Sequence, residues 1–318
     1  VRALTLGVHA GFEWPLAARL RLAAAMRADR TQYRYDNRML DGNTAEDGTP
    51  CSLGGCLYSR PADRSDRFDN LTPRLELAWA PGERQRLYLA ATRGFRPPES
   101  TELYRLQRQQ RLADLDSERA PSLEAGWRGS TARLAWSLAL FDMHKRHVIL
   151  RDANGFNVSD GRTGHRGVEY EFALDAAPGW RLLASGSIAR HRYEFSRAID
   201  GGETITSGDD VDTAPRELHR LALDWNRGGR LRAGAELQYV GPYFADAANQ
   251  HRYPGHAVAG ANVAWKIGSR LTTTLRVTNL LDRAYADRAD FAQGDWRYFP
   301  ARGRAAFLEL AMRRAAGP

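Results

Sequence analysis

The sequence predicts an all-β protein, an antiparallel transmembrane β-barrel to which this chain contributes about thirteen strands. Three observations lead to this fold class. Apolar and polar residues alternate with a period of two, the alternating segments are long, and the connections between them are short and long in turn. No run of about 18 apolar residues occurs, so the sequence offers no candidate transmembrane helix.

The alternation is visible from the first residues of the chain. Leu4, Leu6 and Val8 alternate with Thr5 and Gly7, which places apolar side chains on one face of a strand and polar or small ones on the other. The same pattern returns at 168–175, 220–226, 231–239 and 270–277. Charged residues occupy the polar positions of nearly every such segment, so the polar face is expected to line a wet or plugged interior.

Strand length separates a membrane barrel from a soluble sheet. Strands of soluble proteins average about 5–6 residues, whereas about 9–11 tilted residues cross a bilayer. We predict strands at 3–13, 18–35, 71–80, 86–96, 121–129, 132–151, 165–176, 180–195, 217–226, 230–243, 257–267, 270–281 and 304–313. Most of these segments reach ten residues, which favours strands that span a membrane.

The connections alternate in length. Tight turns rich in Gly and Pro are predicted after every second strand, and the connections between them are long: 36–70, 97–120, 152–164, 196–216, 244–256 and 282–303. Outer-membrane barrels combine short periplasmic turns with long extracellular loops. Aromatic residues near strand ends suit interfacial girdles: Trp14, Trp79, Phe95, Trp127, Trp180, Tyr239, Tyr243 and Trp265.

A soluble β-sandwich or lipocalin-like barrel shows the same alternation, with its apolar side chains turned inward. Strand length, strand number and the asymmetry of the loops favour the membrane barrel over this alternative. Bacterial single-chain barrels have even strand counts, so an odd count indicates that further strands precede Val1. We therefore expect the chain to be the C-terminal part of a larger barrel, and the absence of a visible signal peptide then carries no information.

Composition narrows the function classes. The chain has 318 residues, 43% of them hydrophobic and 26% charged, with a formal net charge of +8. Arginine supplies almost all of the positive charge, since lysine occurs only at Lys145 and Lys266. The arginines are spread along the chain rather than clustered in a recognised motif, which argues against nucleic-acid binding.

Two cysteines lie close together in CSLGGC, at Cys51 and Cys56. The Gly-Gly pair between them permits a tight turn, so we expect a local disulfide in a long extracellular loop and an oxidising compartment. A zinc half-site is the alternative, but no second pair of ligands is nearby. No metal site is predicted.

The stretch GFRPPESTELY (94–104) marks the exit of a strand from the membrane. Its double proline cannot donate the hydrogen bonds of a sheet, so strand pairing ends there and a polar loop follows. This stretch resembles a strand-to-loop junction typical of TonB-dependent outer-membrane receptors. Four further segments resemble the same family in order and spacing: LDSERAPSLEAGW (115–127), GHRGVEYEF (164–172), VTNLLDRAY (277–285) and RYFPARGRAAFLEL (297–310).

The resemblance implies a 22-strand barrel filled by an N-terminal plug, of which this chain, residues 1–318, would supply the last thirteen strands. The plug, the TonB box and about nine strands would then lie outside the chain. The C-terminus departs from the family pattern. The last strand ends FLELAM and is followed by RRAAGP, whereas outer-membrane barrels usually end on an aromatic residue.

The resemblance further implies an integral protein of the Gram-negative outer membrane that takes up a scarce ligand, most often a ferric siderophore. Its expected partners are the TonB–ExbB–ExbD complex, outer-membrane lipid and lipopolysaccharide, and a small iron chelate, with the receptor a monomer. Arginine-rich loops suit an anionic chelate. The candidate ligand contacts are Arg96, Tyr104, Arg105, Arg108, Arg111, Tyr243 and Arg297. No cofactor and no catalytic residue is predicted.

Several alternatives stay open at this point. Haem is disfavoured because no histidine occurs between Pro97 and Pro121, where haem receptors of the family carry one. Cobalamin or an oligosaccharide remains a possible ligand. A passive porin is another class. An outer-membrane enzyme would need a poised catalytic set at the rim. Acids and histidines are present, but no spacing singles out a site among Asp209, Asp210, His219 and His251.

Overall fold

The computed structural model describes residues 1–38, 49–50, 58–107, 110–268 and 270–312. A single antiparallel sheet of thirteen strands dominates it. Its strands are β1 (Arg2–Ala17), β2 (Leu20–Tyr35), β3 (Arg64–Gly82), β4 (Gln85–Arg96), β5 (Glu118–Ser130), β6 (Leu134–Arg151), β7 (Asn157–Ala177), β8 (Trp180–Tyr193), β9 (Glu217–Asn226), β10 (Leu231–Val240), β11 (His256–Ile267), β12 (Leu271–Thr278) and β13 (Ala305–Met312).

Each strand of the sheet pairs with the next one along the chain, so the topology is a simple up-and-down meander. Within the described residues, β1 and β13 form the two edges of the sheet. The all-β antiparallel prediction and its thirteen strands are therefore confirmed.

Smaller elements decorate one end of the sheet. They are a short helix, α1 (Ser100–Tyr104), and four two-stranded ladders that pair Tyr58–Ser59 with Leu106–Gln107, Arg197–Ala198 with Thr204–Ile205, Tyr243–Phe244 with Arg252–Tyr253, and Ala286–Ala292 with Asp295–Pro300. We call this the long-loop end of the sheet, and we call the opposite end, where short turns join the strands, the short-turn end. No helix in the described part of the chain is long and apolar enough to cross a membrane.

The two faces of the sheet differ as the alternation predicts. One face, here the apolar face, exposes large hydrophobic side chains such as Leu4, Leu140 and Ile188. The other, here the polar face, carries hydrogen-bonded charges, for example the Glu236 carboxylate at 2.8 Å from the Arg220 guanidinium. An exposed apolar face beside a polar, ion-paired one suits a wall whose outer surface meets hydrocarbon.

Tryptophans mark the short-turn end of the apolar face. Trp14, Trp79, Trp127, Trp180 and Trp265 are all exposed there, and Trp127 packs edge-on against Trp136 with ring centroids 5.2 Å apart. This arrangement fits an interfacial girdle. Tyr243 does not belong to it, because it is buried within a ladder at the long-loop end.

Two strands begin seven or more residues earlier than the sequence indicates. β3 starts at Arg64 rather than 71 and β7 at Asn157 rather than 165. The connection predicted as long at 152–164 is consequently a turn of five residues, 152–156. The Asp152 carboxylate accepts hydrogen bonds from the N–H groups of Asn154 and Phe156, both at 2.9 Å, and Gly155 adopts φ 78°. These contacts close the turn tightly.

The buried hydrophobic clusters are concentrated at the long-loop end rather than along the membrane-facing wall. One gathers Tyr35, Leu103, Tyr104 and Leu106, and a second centres on Tyr193 and Phe195. A third packs the ladders of 243–253 and 286–300 together. The loops are therefore folded structures with cores of their own, and they hold the candidate functional residues.

Candidate functional site

Arg96 is the last residue of β4, and its guanidinium joins three segments of the long-loop end. Its Nε and Nη2 donate to the Glu118 carboxylate at 3.0 and 2.9 Å, and its Nη1 and Nη2 donate to the Glu102 carboxylate at 2.9 and 3.0 Å. Glu118 is buried and also accepts the Ile149 N–H at 3.0 Å. Arg96 thus connects the end of β4, helix α1 and the start of β5.

Tyr104 closes helix α1 and is only 2% exposed. Its ring stacks on Tyr35 with centroids 4.5 Å apart, and its hydroxyl donates to the Asp66 carboxylate at 2.7 Å. Burial and the neighbouring carboxylate both raise the pKa of the Tyr104 phenol, so it remains a hydrogen-bond donor. Contact between Tyr104 and a ligand would require helix α1 to move.

Tyr243 is in a similar position between two ladders. It is 8% exposed, and its hydroxyl donates to the Ala289 carbonyl at 3.1 Å while accepting the Ala289 N–H at 2.9 Å. Burial raises the pKa of the Tyr243 phenol as well. The residue fixes the ladder of 286–300 against the ladder of 243–253.

The remaining candidates differ in accessibility. Arg297 is 57% exposed along its side chain, and its Nε lies 2.5 Å from Asp290. Arg105 follows helix α1 and Arg111 lies in the segment after it, both exposed. Arg108, Cys51 and Cys56 lie outside the described residues. The predicted ligand contacts and the predicted disulfide therefore stay predictions.

A cavity of about 440 Å³ lies between the long-loop ends of β6 and β7 and the loops that follow β8, β10 and β12. Cations and carboxylates from distant parts of the chain meet there: Lys145, Arg151, Asp200, Glu203, Asp212, Asp246, Arg288, Asp290 and Arg297. Apart from Arg297, sequence reasoning missed this set, because its members come from strand β6 and from separate loops and share no motif. One signal in the sequence was the pair Gln293-Gly294, because a glycine at this point of a predicted loop is typical of a hairpin turn. In the structure the two residues form that turn, with φ of 57° and 87°.

The charges of this cavity are partly neutralised within the protein. Asp290 is buried between Arg288, at 2.9 Å, and Arg297. Glu203 accepts the Ala247 N–H at 2.8 Å, and burial raises the pKa of its carboxyl above the usual range of glutamate. Within the described residues no group of three or more His, Cys, Asp or Glu side chains is placed to hold a metal ion directly. The cavity suits a polar ligand held by hydrogen bonds and ion pairs.

Known proteins resemble this chain along most of its length. Residues 2–280 match the family described as TonB dependent receptor-like, beta-barrel. The pesticin receptor of Yersinia pestis is 23% identical over 296 residues, which cover 89% of this chain and 40% of that protein. The ferrioxamine receptor of Yersinia enterocolitica is 27% identical over 164 residues, which cover 49% of this chain and 22% of that protein.

Solved structures agree in fold. The ferric yersiniabactin uptake receptor of Yersinia pestis superimposes with a TM-score of 0.75 at 21% identity, over 98% of this chain and 45% of that one. The closed form of the ferric-catecholate import receptor of E. coli K12 gives 0.77 at 18% identity, over 98% and 44%. The chain thus spans less than half the length of these proteins. It belongs to the TonB-dependent receptor β-barrel family, whose barrels are integral to the outer membrane.

Proposed function

We propose that this chain is the C-terminal barrel part of a receptor that takes up an iron–siderophore or related metal complex across the outer membrane. Family membership over residues 2–280 carries the proposal. Named relatives support the ligand class, since they include a ferrioxamine receptor and a ferric yersiniabactin uptake receptor. A plug domain and further strands complete the receptor in this proposal, because the matched relatives are more than twice as long.

The ligand binds at the long-loop end, in and above the cavity between the ends of β6 and β7 and the loops after β8, β10 and β12. Arg297 and Arg288 contact Asp290, but each side chain stays 57% exposed and offers further N–H groups to a ligand. Arg105, Arg108 and Arg111 add positive charge on the loop that follows β4. Guanidinium groups bind carboxylate and catecholate oxygens with paired hydrogen bonds. An anionic chelate is therefore the best-supported ligand class.

Arg96, Tyr104 and Tyr243 serve a positioning role in this proposal. Their polar groups are engaged with Glu118, Asp66 and the Ala289 backbone, so they shape the loops that meet the ligand. Their direct participation would follow only after a rearrangement on binding. Loop rearrangements on binding occur in a substantial minority of protein complexes.

Transport would then proceed without any bond being made or broken in the ligand. Energy from the TonB–ExbB–ExbD complex moves the plug after the ligand binds, and the receptor acts as a monomer with no enzymatic activity. The polar face of the thirteen strands supplies the wall of the passage. Ion pairs such as Arg220–Glu236 make that wall hydrophilic.

Uptake of a radiolabelled ferric chelate tests the proposal. The gene for the complete receptor is deleted and restored in its source, and uptake from a panel of catecholate, hydroxamate and carboxylate chelates is measured with and without active TonB. We expect one chelate class to be lost on deletion and on TonB inactivation alike. Uptake that persists without TonB, together with an open channel in planar bilayers, would show a passive porin instead.

The ligand contacts need a separate variant. Because Arg288 and Arg297 both neutralise the buried Asp290, the variant is made in an Asp290→Asn background, which removes that charge. We expect Arg288→Gln combined with Arg297→Gln to weaken chelate binding by about tenfold or more relative to Asp290→Asn alone, since two charge-assisted contacts are lost. The matched control is Arg84→Gln combined with Arg133→Gln, which removes the same charge from turns at the short-turn end. Equal binding by both double variants would move the ligand site away from this cavity.

A further inference from the structure

Two histidines face each other where β7 and β8 border the loop cavity. His165 on β7 lies opposite His191 on β8 in the strand register, and their Nδ1 atoms are 2.9 Å apart. The two rings are tilted by 52°, with centroids 5.1 Å apart. His165 lines the cavity, and neither ring takes part in the charge recognition proposed above. The pair is therefore a second chemical feature of the same cavity.

The alternation along β8 places the pair on the polar face. Ile188 is exposed on the apolar face, whereas Ala189 and Tyr193, which share a face with His191, are buried. His191 is eleven residues from Trp180, which is roughly 28 Å along the membrane normal at about 3.3 Å per residue and a tilt of about 40°. This distance exceeds an apolar band of about 25 Å, so the pair lies beyond the membrane-spanning part of the wall.

Both imidazoles are held in the neutral form. Burial and the neighbouring His191 and Lys145 lower the pKa of His165 to about 4, and burial lowers the pKa of His191. Glu194 near His165 and Asp210 near His191 oppose these shifts without reversing them. A neutral imidazole is the form that binds metal ions, so neither ring has to lose a proton first.

Thr163 orients one ring of the pair. It is buried, and its hydroxyl lies 2.8 Å from Nε2 of His165. By accepting the Nε2 proton of His165, the hydroxyl leaves Nδ1 with a lone pair directed at His191. Histidines that bind metals donate their other ring N–H to such an outer partner, which fixes the tautomer.

The spacing of the two nitrogens fits two adjacent positions on one metal ion. Imidazole nitrogens bind first-row metals at about 2.0–2.1 Å, so two neighbouring ligands at bond angles of about 90–109° lie about 2.8–3.4 Å apart. The rings need only turn about their side chains for both lone pairs to point at one ion. The proton on Nδ1 of His191 then moves to Nε2 of the same ring, and no net proton is released.

The surroundings of the pair favour a metal that arrives with ligands of its own. Within the described part of the chain, no cluster of three His, Cys, Asp or Glu side chains could hold an ion by itself. Lys145, Arg288 and Arg297 line the same cavity. Their charges repel a free cation and attract an anionic complex. The two imidazoles therefore suit a metal that is already chelated.

On the basis of the proposed receptor function, we propose that His165 and His191 bind the metal of the cargo directly, as two adjacent ligands of a chelate that leaves two positions open. Imidazole suits Ni²⁺, Cu²⁺ and Zn²⁺, so the cargo is a complex of such a metal. A hexadentate siderophore fills all positions of its iron and forms no such bond. The cargo is thereby narrowed from anionic chelates in general to coordinatively unsaturated ones.

Binding of two nickel complexes by the complete receptor tests this inference. The receptor is purified in mild detergent through a tag without histidine. It is titrated with Ni²⁺–nitrilotriacetate, which leaves two adjacent positions open, and with Ni²⁺–EDTA, which leaves none. Calorimetry gives the affinities, and the visible absorption of the nickel reports nitrogen ligation. We expect the wild type to bind the open complex about 100-fold more tightly than the closed one.

Variants of the pair assign the ligands. His165→Gln and His191→Gln should each weaken binding of the open complex by about tenfold or more, and the double variant should lose the preference for it. Thr163→Val removes only the outer partner. It should weaken binding by about tenfold and keep the absorption of two nitrogen ligands.

The matched control is His144→Gln combined with His147→Gln. These two side chains are 39% and 37% exposed and pair with Asp142 and Asp116 outside the cavity, so their loss should leave binding unchanged. A semi-native gel checks that each variant is folded, and the comparison of the two complexes on the wild type needs no variant at all.

Equal binding of the two nickel complexes by the wild type, or full binding of the open complex by the folded double variant, would overturn the inference. TonB-dependent uptake of a saturated ferric chelate would then still support the proposed receptor function. Failure of that function would instead appear as uptake without TonB, which the nickel titration does not measure.

Discussion

Replacing Arg96 with methionine should loosen the segment that runs from the end of β4 to the start of β5. The change keeps most of the side-chain volume and removes four hydrogen bonds of 2.9–3.0 Å to the carboxylates of Glu118 and Glu102. Glu118 would then keep its buried position with the Ile149 N–H and a more distant Lys145, at 3.6 Å, as partners. A buried carboxylate that loses its main partner is strongly destabilising.

The magnitude follows from the geometry. Hydrogen bonds to charged groups contribute about 1.5–3 kcal/mol each when buried. The Arg96 side chain is 37% exposed, so water replaces part of what is lost. We therefore expect the free energy of local opening to fall by about 2–3 kcal/mol, which corresponds to roughly 30- to 150-fold faster amide exchange. The effect should be confined to helix α1 and its flanks, 97–118.

Hydrogen exchange of the complete receptor in detergent, read by mass spectrometry, measures this opening directly. Arg111→Met is the matched control, since Arg111 is an exposed loop arginine and its loss should leave exchange unchanged. Adding Glu118→Gln to Arg96→Met should recover part of the protection against amide exchange, because the double variant no longer buries a carboxylate without its arginine partner. Unchanged exchange in Arg96→Met, with chelate binding lost, would refute the positioning role and make Arg96 a ligand contact.

Two further predictions concern the wall and the cavity. An alanine at Gly126 would bring its Cβ into overlap with the hydroxyl end of the Tyr88 ring, so Gly126→Ala should cost about 1–3 kcal/mol and lower the folded fraction on a semi-native gel. Gly94→Ala is the control, because nothing lies within 4 Å of its added Cβ. Burial raises the pKa of Glu203, so the packing it stabilises is fully present below the carboxyl's unfolded pKa and weakens as pH rises through the folded value. Glu203→Gln should remove this pH dependence. The measurement is the ratio of the amide exchange rate of the variant to that of the wild type in residues 203–206, taken at each pH. A ratio that does not vary with pH would contradict the prediction.

The membrane-spanning wall could be predicted from the sequence because lipid imposes a strict alternation on it. Every one of the thirteen predicted segments overlaps a strand of the sheet. The parts of the strands that extend beyond the membrane could not be predicted in this way, because lipid imposes no alternation there. Arg64 and Asn157 begin strand segments beyond the membrane in which polar residues prevail, so no apolar alternation marks them.

The candidate site was less accessible to sequence reasoning. The exposed-looking motif around Arg96 suggested a ligand contact, but its partner Glu118 lies 22 residues further along the chain. Tyr104 likewise finds Asp66 across 38 residues. Whether a polar loop residue meets a ligand or another loop depends on such distant pairings, and spacing within a single segment does not reveal them.

The orientation of the wall is the central claim, and cysteine labelling on intact cells tests it most directly. In the complete receptor with Cys51 and Cys56 replaced by serine, Asp295→Cys reports on the long-loop end and Arg133→Cys on the short-turn end. A membrane-impermeant maleimide should label Asp295→Cys on intact cells and Arg133→Cys only after the outer membrane is opened. Labelling of Arg133→Cys on intact cells, with Asp295→Cys protected, would contradict the topology on which the proposed receptor function depends.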